Sequence, residues 1–181
     1  AYPEGYGYWH YGTTYNVMLL AALETLYGND FGLSAIPGFI KGGEYILHMV
    51  GPSCLPFNFG DSGSRMRLNT SLFWFARKTK NPALLRNECK LLLEIPNYDY
   101  EQYRRMLPSI FVLGKDINLA NLPKPKVDMF AAKNEAPVCL MRSSWKEDAI
   151  YVGIKGGKAS ANTHTHLDAG SFVMDAQGVR W

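Results

Sequence analysis

Apolar residues recur at helical spacing through the first two thirds of the chain. Residues 13–27 are rich in helix formers, and their apolar run at 17–23 covers most of a helical circumference, so we expect a helix buried on more than one side. Thr13 or Thr14 is a candidate N-cap, and Gly28 is suited to follow the helix end. The same spacing predicts a second helix over 38–50 and three more over 69–79, 82–93 and 98–112.

Beyond a Pro- and Lys-rich linker at 115–126, the hydrophobic period changes to that of strands. Apolar segments separated by turn residues predict strands over 127–132, 136–142, 149–154 and 171–176, the last of them entering a turn at Gln177-Gly178. Helices first and antiparallel strands afterwards predict an α+β fold. We place the boundary at residue 122, between a helical domain over 1–122 and a strand domain over 123–181.

Two segments carry more polar or aromatic groups than packing alone requires. Residues 1–12 hold four Tyr, a Trp, a His and a Glu between glycines, directly ahead of the first predicted helix, whose N-terminus favours a nearby anionic group. Residues 51–66 are dense in Gly, Pro, Ser, Asn and Asp, which predicts a long loop of the kind that is often functional. His48, near the predicted end of the second helix, is expected to be structural because helix C-termini favour cations.

The strongest chemical signal is His164-x-His166, which holds two of the four histidines. An extended backbone projects both rings from one face, and paired imidazoles suit metal binding or proton transfer. The alternative is a polar turn in which both histidines only cap a loop. Asp168 and Gly170 form a turn signal before the last long strand, so we expect the pair at the mouth of a β-sheet.

Composition narrows the function classes. A net charge of +3 is too weak to indicate nucleic-acid binding but is compatible with an acidic ligand, and 13% aromatic residues suit stacking on sugars. No apolar stretch approaches the ~18 residues of a membrane span. The three cysteines are far apart and indicate neither a disulfide framework nor a thiolate zinc site. The chain opens and closes in mid-segment, so we expect a fragment of a longer protein.

Two motifs, in their order along the chain, resemble those of the heparinase II/III-like polysaccharide lyases. The first is Glu4-Gly-x-x-Tyr8-Trp-x-Tyr11-Gly12 ahead of a helix, and the second is His164-x-His166-x-Asp168-x-Gly170-x-Phe172 ahead of a strand. The loop Phe57-Asn-Phe-Gly-Asp61 and the helix-to-strand order are similar as well, so the resemblance covers essentially the whole chain. It implies the last helices of an incomplete α/α toroid followed by the first strands of an antiparallel β-sandwich. It also implies a periplasmic or secreted protein that acts on an acidic polysaccharide.

The resemblance implies roles for individual residues. Tyr8 is expected as the base and acid of a β-elimination, with Tyr11 and Tyr15 as alternatives, and His164 as an active-site histidine. Substrate-binding residues are expected in the same aromatic segment, namely Glu4, Trp9, His10, Tyr11 and Tyr15. His166 resembles a ligand of a structural zinc, but two further family ligands would fall beyond Trp181. We therefore expect zinc in the full-length protein and an incomplete zinc site in this chain.

Two other functions remain open at the level of sequence. A carbohydrate-binding or scaffold protein could keep the fold without lyase chemistry, because a fold does not fix a function. A metal-dependent hydrolase could use His164, His166 and Asp168, whose i, i+2 and i+4 spacing suits a metal site, although no further ligands are visible.

Overall fold

A computed structural model describes residues 3–93, 105–133, 136–157 and 166–181, and its fold is α+β, as predicted. Within these ranges the helices are α1 (Gly5–Tyr27), α2 (Gly42–His48), α3 (Ser71–Lys78), α4 (Arg86–Leu93) and α5 (Ser109–Leu113). The strands are β1 (Met129–Ala132), β2 (Val138–Arg142), β3 (Tyr151–Lys155), β4 (Phe172–Ala176) and β5 (Val179–Arg180).

The start of α1 differs from the prediction. The helix begins at Gly5, so the aromatic segment forms its first turns, and neither Thr13 nor Thr14 is an N-cap. The Thr14 hydroxyl instead donates to the His10 carbonyl at 2.7 Å, one turn back inside the helix. Glycines in residues 5–12 lower the intrinsic helix propensity, but packing overrides such local preferences. The predicted end at Tyr27 is confirmed, and Gly28 follows with φ +72°.

The other helices follow their predictions with shorter bounds. The helical run breaks after α3 and resumes at Pro82 with a turn of 3₁₀ helix, Pro82–Leu85, which continues into α4. Of the helix predicted over 98–112, residues 98–104 lie outside the described ranges, and the remainder contains only α5. Residues 51–66 form a loop, as predicted, with one isolated bridge between Val50 and Pro56.

All four predicted strands are present, and a fifth follows the Gln177-Gly178 turn. Neighbouring strands pair antiparallel in the order β1-β2-β3-β4-β5, so the described part of the chain contains a simple meander. The central register places Leu140 opposite Gly153, and Gly153 opposite Val173. A side chain at Gly153 would come within 2.8 Å of the Phe57 ring, so this glycine lets the 51–66 loop pack directly on the sheet.

The chain divides into two compact units. The sheet unit contains Ala1–Trp9, Glu44–Met66 and Lys124–Trp181, and the helical unit contains His10–Gly43 and Arg67–Pro123. The sequence-order division into domains at residue 122 stays a proposal.

The sheet unit has an apolar and aromatic core that includes His48. The His48 ring stacks on Phe130 with centroids 6.1 Å apart and meets Trp145 edge-on at 5.2 Å. Burial, with a contribution from the Arg142 charge, lowers the pKa of His48 to about 3. His48 is therefore a structural residue, as predicted, but it is a neutral ring in the core, so the preference of helix C-termini for cations does not explain its position.

The helical unit is centred on α3, in which residues 71–76 are all buried. The Trp74 indole N–H donates to Glu24 Oε2 at 3.0 Å, so the polar tip of the buried ring is satisfied. Gly114 lies so close to this core that a Cβ there would be 2.6 Å from the Phe73 ring, and a Cβ on Gly43 would be 3.2 Å from the Phe75 side chain. No helix among the described residues has the length and apolarity to cross a bilayer.

Candidate functional site

In the sheet unit, the segment Phe57–Ser62, here called the site loop, holds the start of α1. The Gly7 N–H donates to Ser62 Oγ at 3.1 Å. A Cβ on Gly5, which has φ +79°, would lie 2.5 Å from the Phe59 carbonyl oxygen. The first turn of α1 is therefore fixed against the site loop by the Gly7 hydrogen bond and by a close approach at Gly5 that only glycine permits.

The same loop also holds the segment that follows His164. Nε2 of His166 lies 2.7 Å from Asp61 Oδ1, and the Gly60 N–H donates to Asp168 Oδ2 at 3.3 Å. Asp168 Oδ1 in turn pairs with the ammonium group of Lys155 on β3. The site loop thus contacts part of each motif that the sequence singled out, residues 4–7 of the first and 166–168 of the second, inside one compact unit.

A buried carboxylate anchors the chain just ahead of the site loop. Asp175 on β4 is fully buried, and its Oδ2 accepts from the Ser53 N–H at 3.1 Å and from the Ser53 hydroxyl at 2.5 Å. Arg180 pairs with the other oxygen of Asp175 and donates to the Leu55 carbonyl at 2.9 Å. A hairpin of the sheet therefore fixes the backbone that leads into the loop.

The candidate tyrosines lie along α1. Tyr8 is 39% exposed, Tyr11 63% and Tyr15 52%, and their i, i+3 and i+7 spacing puts them on one face of the helix. Tyr11 and Tyr15 meet edge-to-face with centroids 5.2 Å apart. Trp9, in contrast, is buried.

Glu4 precedes α1 and is half-buried, with its backbone 3.4 Å from the position that a side chain on Gly60 would occupy. The acidic residue is therefore placed at the site loop through its main chain.

His10 belongs to a buried polar network of the helical unit. Its Nδ1 lies 2.8 Å from Asn69 Oδ1, and Asn69 Nδ2 donates to Glu88 Oε1 at 3.2 Å. Burial lowers the pKa of His10 to about 4, against a smaller opposing effect of the hydrogen bond to Asn69. Burial also raises the pKa of Glu88 to about 7. The Asn69 amide therefore links two titrating groups whose pKa values are shifted in opposite directions, His10 downwards and Glu88 upwards.

His164 lies outside the described residues, so its predicted role stays a prediction. His166 has its Nε2 directed to Asp61, which leaves Nδ1 as the nitrogen that a metal would use. Among the described residues, no group of three or more His, Cys, Asp or Glu side chains could hold a metal ion. The described residues therefore do not form a zinc site, and zinc binding by the full-length protein stays a proposal.

An apolar hollow of about 180 Å³ is found in the helical unit. It is lined by Leu19, Leu20, Leu33, Ile36 and Phe39, with Asn16 as its polar member. Such a surface lacks the hydrogen-bonding groups and the charge that an acidic sugar requires, so we do not place the substrate there.

Several residues of this arrangement were missed at the level of sequence. Asp61 was noted only as part of the loop motif, and Lys155, Asn69 and Glu88 were not singled out. A lone Lys in a strand, or a lone Glu in an amphipathic helix, carries no signal of its own. Two sequence features pointed to the site loop, namely the dense turn composition of residues 51–66 and the resemblance of Phe57-Asn-Phe-Gly-Asp61 to the loop of heparinase II/III-like lyases.

The sequence matches no family model and no curated protein. Among solved structures, the chain is similar to a mutant of the heparan sulfate lyase HepC from Pedobacter heparinus, with a TM-score of 0.68 and 15% identity. The match covers 98% of this chain and 24% of that protein, so the chain spans about a quarter of the length of its structural neighbour. At this identity, the likeness shows a related fold.

Proposed function

We propose that this chain is part of a polysaccharide lyase that cleaves an acidic, uronate-containing glycan by β-elimination. The observation that carries the proposal is the fold likeness to a heparan sulfate lyase over 98% of the chain. The site loop adds support, because within one unit it contacts part of each sequence motif on which the resemblance to heparinase II/III-like lyases depends, through Gly7 of the first and His166 of the second.

The chemistry requires three actions on the sugar. The uronate carboxylate is neutralised, a base removes the C5 proton, and an acid protonates O4 as the C4–O4 bond breaks and a C4=C5 double bond forms. Tyr8 is our choice for the base and acid, since its exposed phenol stands in the first turns of α1. That first turn contains no acidic residue, so no carboxylate within it opposes the positive end of the helix dipole.

Exposed rings next in sequence suit the binding of further sugar units. Tyr11 and Tyr15 offer aromatic faces and hydroxyl groups with more than half of each side chain exposed. Trp9 contributes packing rather than an accessible face. His164 completes the proposed set as a base or as a contact to the carboxylate, and zinc at His166 and a secreted or periplasmic location remain proposals that come from the resemblance.

The proposal is tested by incubating the full-length protein with a panel of acidic glycans and following the ultraviolet absorbance of the new double bond conjugated to the carboxylate. We expect absorbance to grow with at least one glycan, and Tyr8→Phe to lower turnover by ~10²-fold or more with little change in stability. Asn16→Gln, an exposed change on the same helix, is the control and keeps the activity.

Other results of this assay would support a different function or a different catalytic tyrosine. Binding without any growth of absorbance would favour a carbohydrate-binding protein of the same fold. Loss of activity in Tyr11→Phe or Tyr15→Phe, with Tyr8→Phe active, would move the base to that tyrosine. Hydrolysis without a double bond, abolished by chelator, would support the metal-dependent hydrolase, which no contact among the described residues favours at present.

A further inference from the structure

The two faces of the sheet differ in what packs against them. Side chains alternate along a strand, and residues opposite each other in paired strands lie on the same face. On the inner face, Leu140 lies opposite Gly153, and both Leu140 and Tyr151 are 0% exposed. A Cβ on Gly153 would come within 2.8 Å of the Phe57 ring, so the 51–66 loop packs on this face.

The opposite face, here called the outer face, consists of two rows of residues that cross β1, β2, β3 and β4. Its eight members are all apolar, with cysteine counted as a small hydrophobic residue, and none carries a charge, a hydroxyl or an amide. The rows are Met129, Met141, Val152 and Met174, and Ala131, Cys139, Ile154 and Phe172. Four of these side chains are well exposed, namely Phe172 at 68%, Met129 at 58%, Ile154 at 39% and Met174 at 36%.

Such a composition is not that of a sheet face in water. A solvated face of an antiparallel sheet carries polar residues in alternation with the buried ones, whereas strands that are apolar on both faces are covered on both. Contiguous exposed apolar patches of a few hundred Å² mark interaction sites. An acidic glycan is excluded as the occupant, because the eight side chains offer it neither a charge nor a strong hydrogen-bond donor. The occupant is therefore itself apolar.

The size of the outer face indicates that the occupant belongs to the same polypeptide. Four strands ~4.8 Å apart and four residues of ~3.4 Å each give the face an area of roughly 260 Å². A stable dimer of separate chains buries about 800 Å² on each partner, whereas a segment joined through the backbone has a high effective concentration and needs less area. The match to the heparan sulfate lyase covers 24% of that protein, so a related protein of its length has ample chain for a second layer.

We propose that the outer face docks a further layer of the same polypeptide, from beyond residues 1–181, through apolar and uncharged side chains. The inference rests on the proposed function only for the premise that this chain is part of a longer protein. The sheet is then an interior layer of that protein. The docked layer and the 51–66 loop are on opposite faces of the sheet, so docking stabilises the sheet without covering the loop.

The methionines of the outer face test the inference without any substitution. Full-length wild-type protein is treated with dilute hydrogen peroxide in buffer free of glycan and lipid, and mass spectrometry gives the oxidation rate of each methionine in folded protein and in urea. We expect Met129 and Met174 to be oxidised at least ~10-fold more slowly in the folded protein, as for Met49, which is 0% exposed. Oxidation of Met129 and Met174 at the rate of the unfolded chain would overturn the inference.

Dilution distinguishes a layer of the same polypeptide from a second copy of the protein. The oxidation is repeated at much lower protein concentration, and light scattering gives the mass of the particle in solution. Protection of Met129 and Met174 that persists in a monomer supports the inference. Protection found only in a dimer would assign the outer face to a second copy and would overturn it.

Thiol labelling gives a second measurement with a matched control. Ile154→Cys lies in the middle of the outer face, and Lys146→Cys, at an exposed position of the turn before β3, is the control. We expect maleimide to label the Lys146→Cys thiol at least ~10-fold faster than the Ile154→Cys thiol, with the native Cys139 as slow as the latter. Equal labelling of the two variants would contradict the docking. If Ile154→Cys does not fold, Cys139 and the methionines of the wild-type protein decide.

These measurements need no substrate, so they fail or succeed independently of the lyase assay. A protein that cleaves no glycan but protects its outer face would refute the lyase proposal and support the docked layer. A protein that cleaves a glycan while Met129 and Met174 react as in urea would support the lyase proposal and refute the docked layer.

Discussion

Two histidines of the molecule are held in opposite ways. In the sheet unit, His166 is half exposed and pairs with Asp61, a carboxylate that is itself 29% exposed. In the helical unit, His10 is bonded to a buried amide that is in turn bonded to a buried carboxyl. Exposed pairs contribute little free energy and can exchange partners, whereas a buried network is fixed because each group left unsatisfied costs ~1–3 kcal/mol. The pairing of His166 with Asp61 is therefore adjustable, and the network of His10 is preset.

The largest effect on stability is expected when Asn69, the central amide of the His10 network, is replaced. Asn69→Leu removes hydrogen bonds from His10, Glu88 and the Arg67 carbonyl together, and we expect the free energy of unfolding to fall by about 4 kcal/mol. Denaturant titration measures the change, with Asn16→Leu at an exposed position of α1 as the control. A loss no larger than that of the control would mean that the network is not fixed.

The second test uses pH. Because the pKa of Glu88 is raised from 4.5 to about 7 in the folded state, the unfolded chain releases this proton first as pH rises. The contribution of Glu88 to the free energy of unfolding is therefore fully present below about pH 4.5 and is lost as pH rises through about 7. Between pH 5 and pH 8 the free energy of unfolding should fall by on the order of 2.5 kcal/mol.

Glu88→Gln should remove this part of the pH dependence, and thermal melts across the range would show a flatter profile. The exposed Glu44→Gln on α2 should keep the wild-type profile. A profile for Glu88→Gln that follows the wild type would show that the carboxyl ionises normally in the folded protein.

In the sheet unit, the largest effect is expected at Lys155. Its pairing with Asp168 is mostly shielded from solvent, with 11% and 18% of the side chains exposed. Lys155→Met removes the ammonium group, which pairs with Asp168 and lies 5.4 Å from the centroid of the Phe59 ring. The Gly60 N–H still donates to Asp168, so we expect a loss of ~1–2 kcal/mol. Lys146→Met, at an exposed position, is the matched control in the same denaturant titration. Equal stability of the two variants would argue against an anchoring role for Lys155.

The smallest effect is expected for the pair of His166 and Asp61. A double-mutant cycle with His166→Ala and Asp61→Ala should give a coupling free energy of ~0.2–1 kcal/mol, because both side chains are partly exposed. A coupling comparable to that of the Asn69 network would remove the distinction between an adjustable and a preset histidine.

Much of the fold was predictable because local periodicity reports it. The 3.6-residue spacing marked the body and end of α1 as well as α3 and α4, and short apolar runs between turn residues marked β1 to β4. The start of α1 was mispredicted because residues 5–12 look irregular from composition alone. Their helical form accompanies contacts of Gly5 and Gly7 with the site loop, which lies more than 50 residues further along the chain.

The α+β order, the long loop at 51–66 and the residue types that could serve as base, sugar contact or metal ligand are readable from the sequence. Which of these residues meet depends on the packing of distant segments. Asp61 and His166 are 105 residues apart in sequence, and His10 and Asn69 are 59 apart. Periodicity reports which face of its own helix or strand a residue lies on. The partners and the burial of a side chain depend on which distant elements pack around it, and these in turn set its protonation.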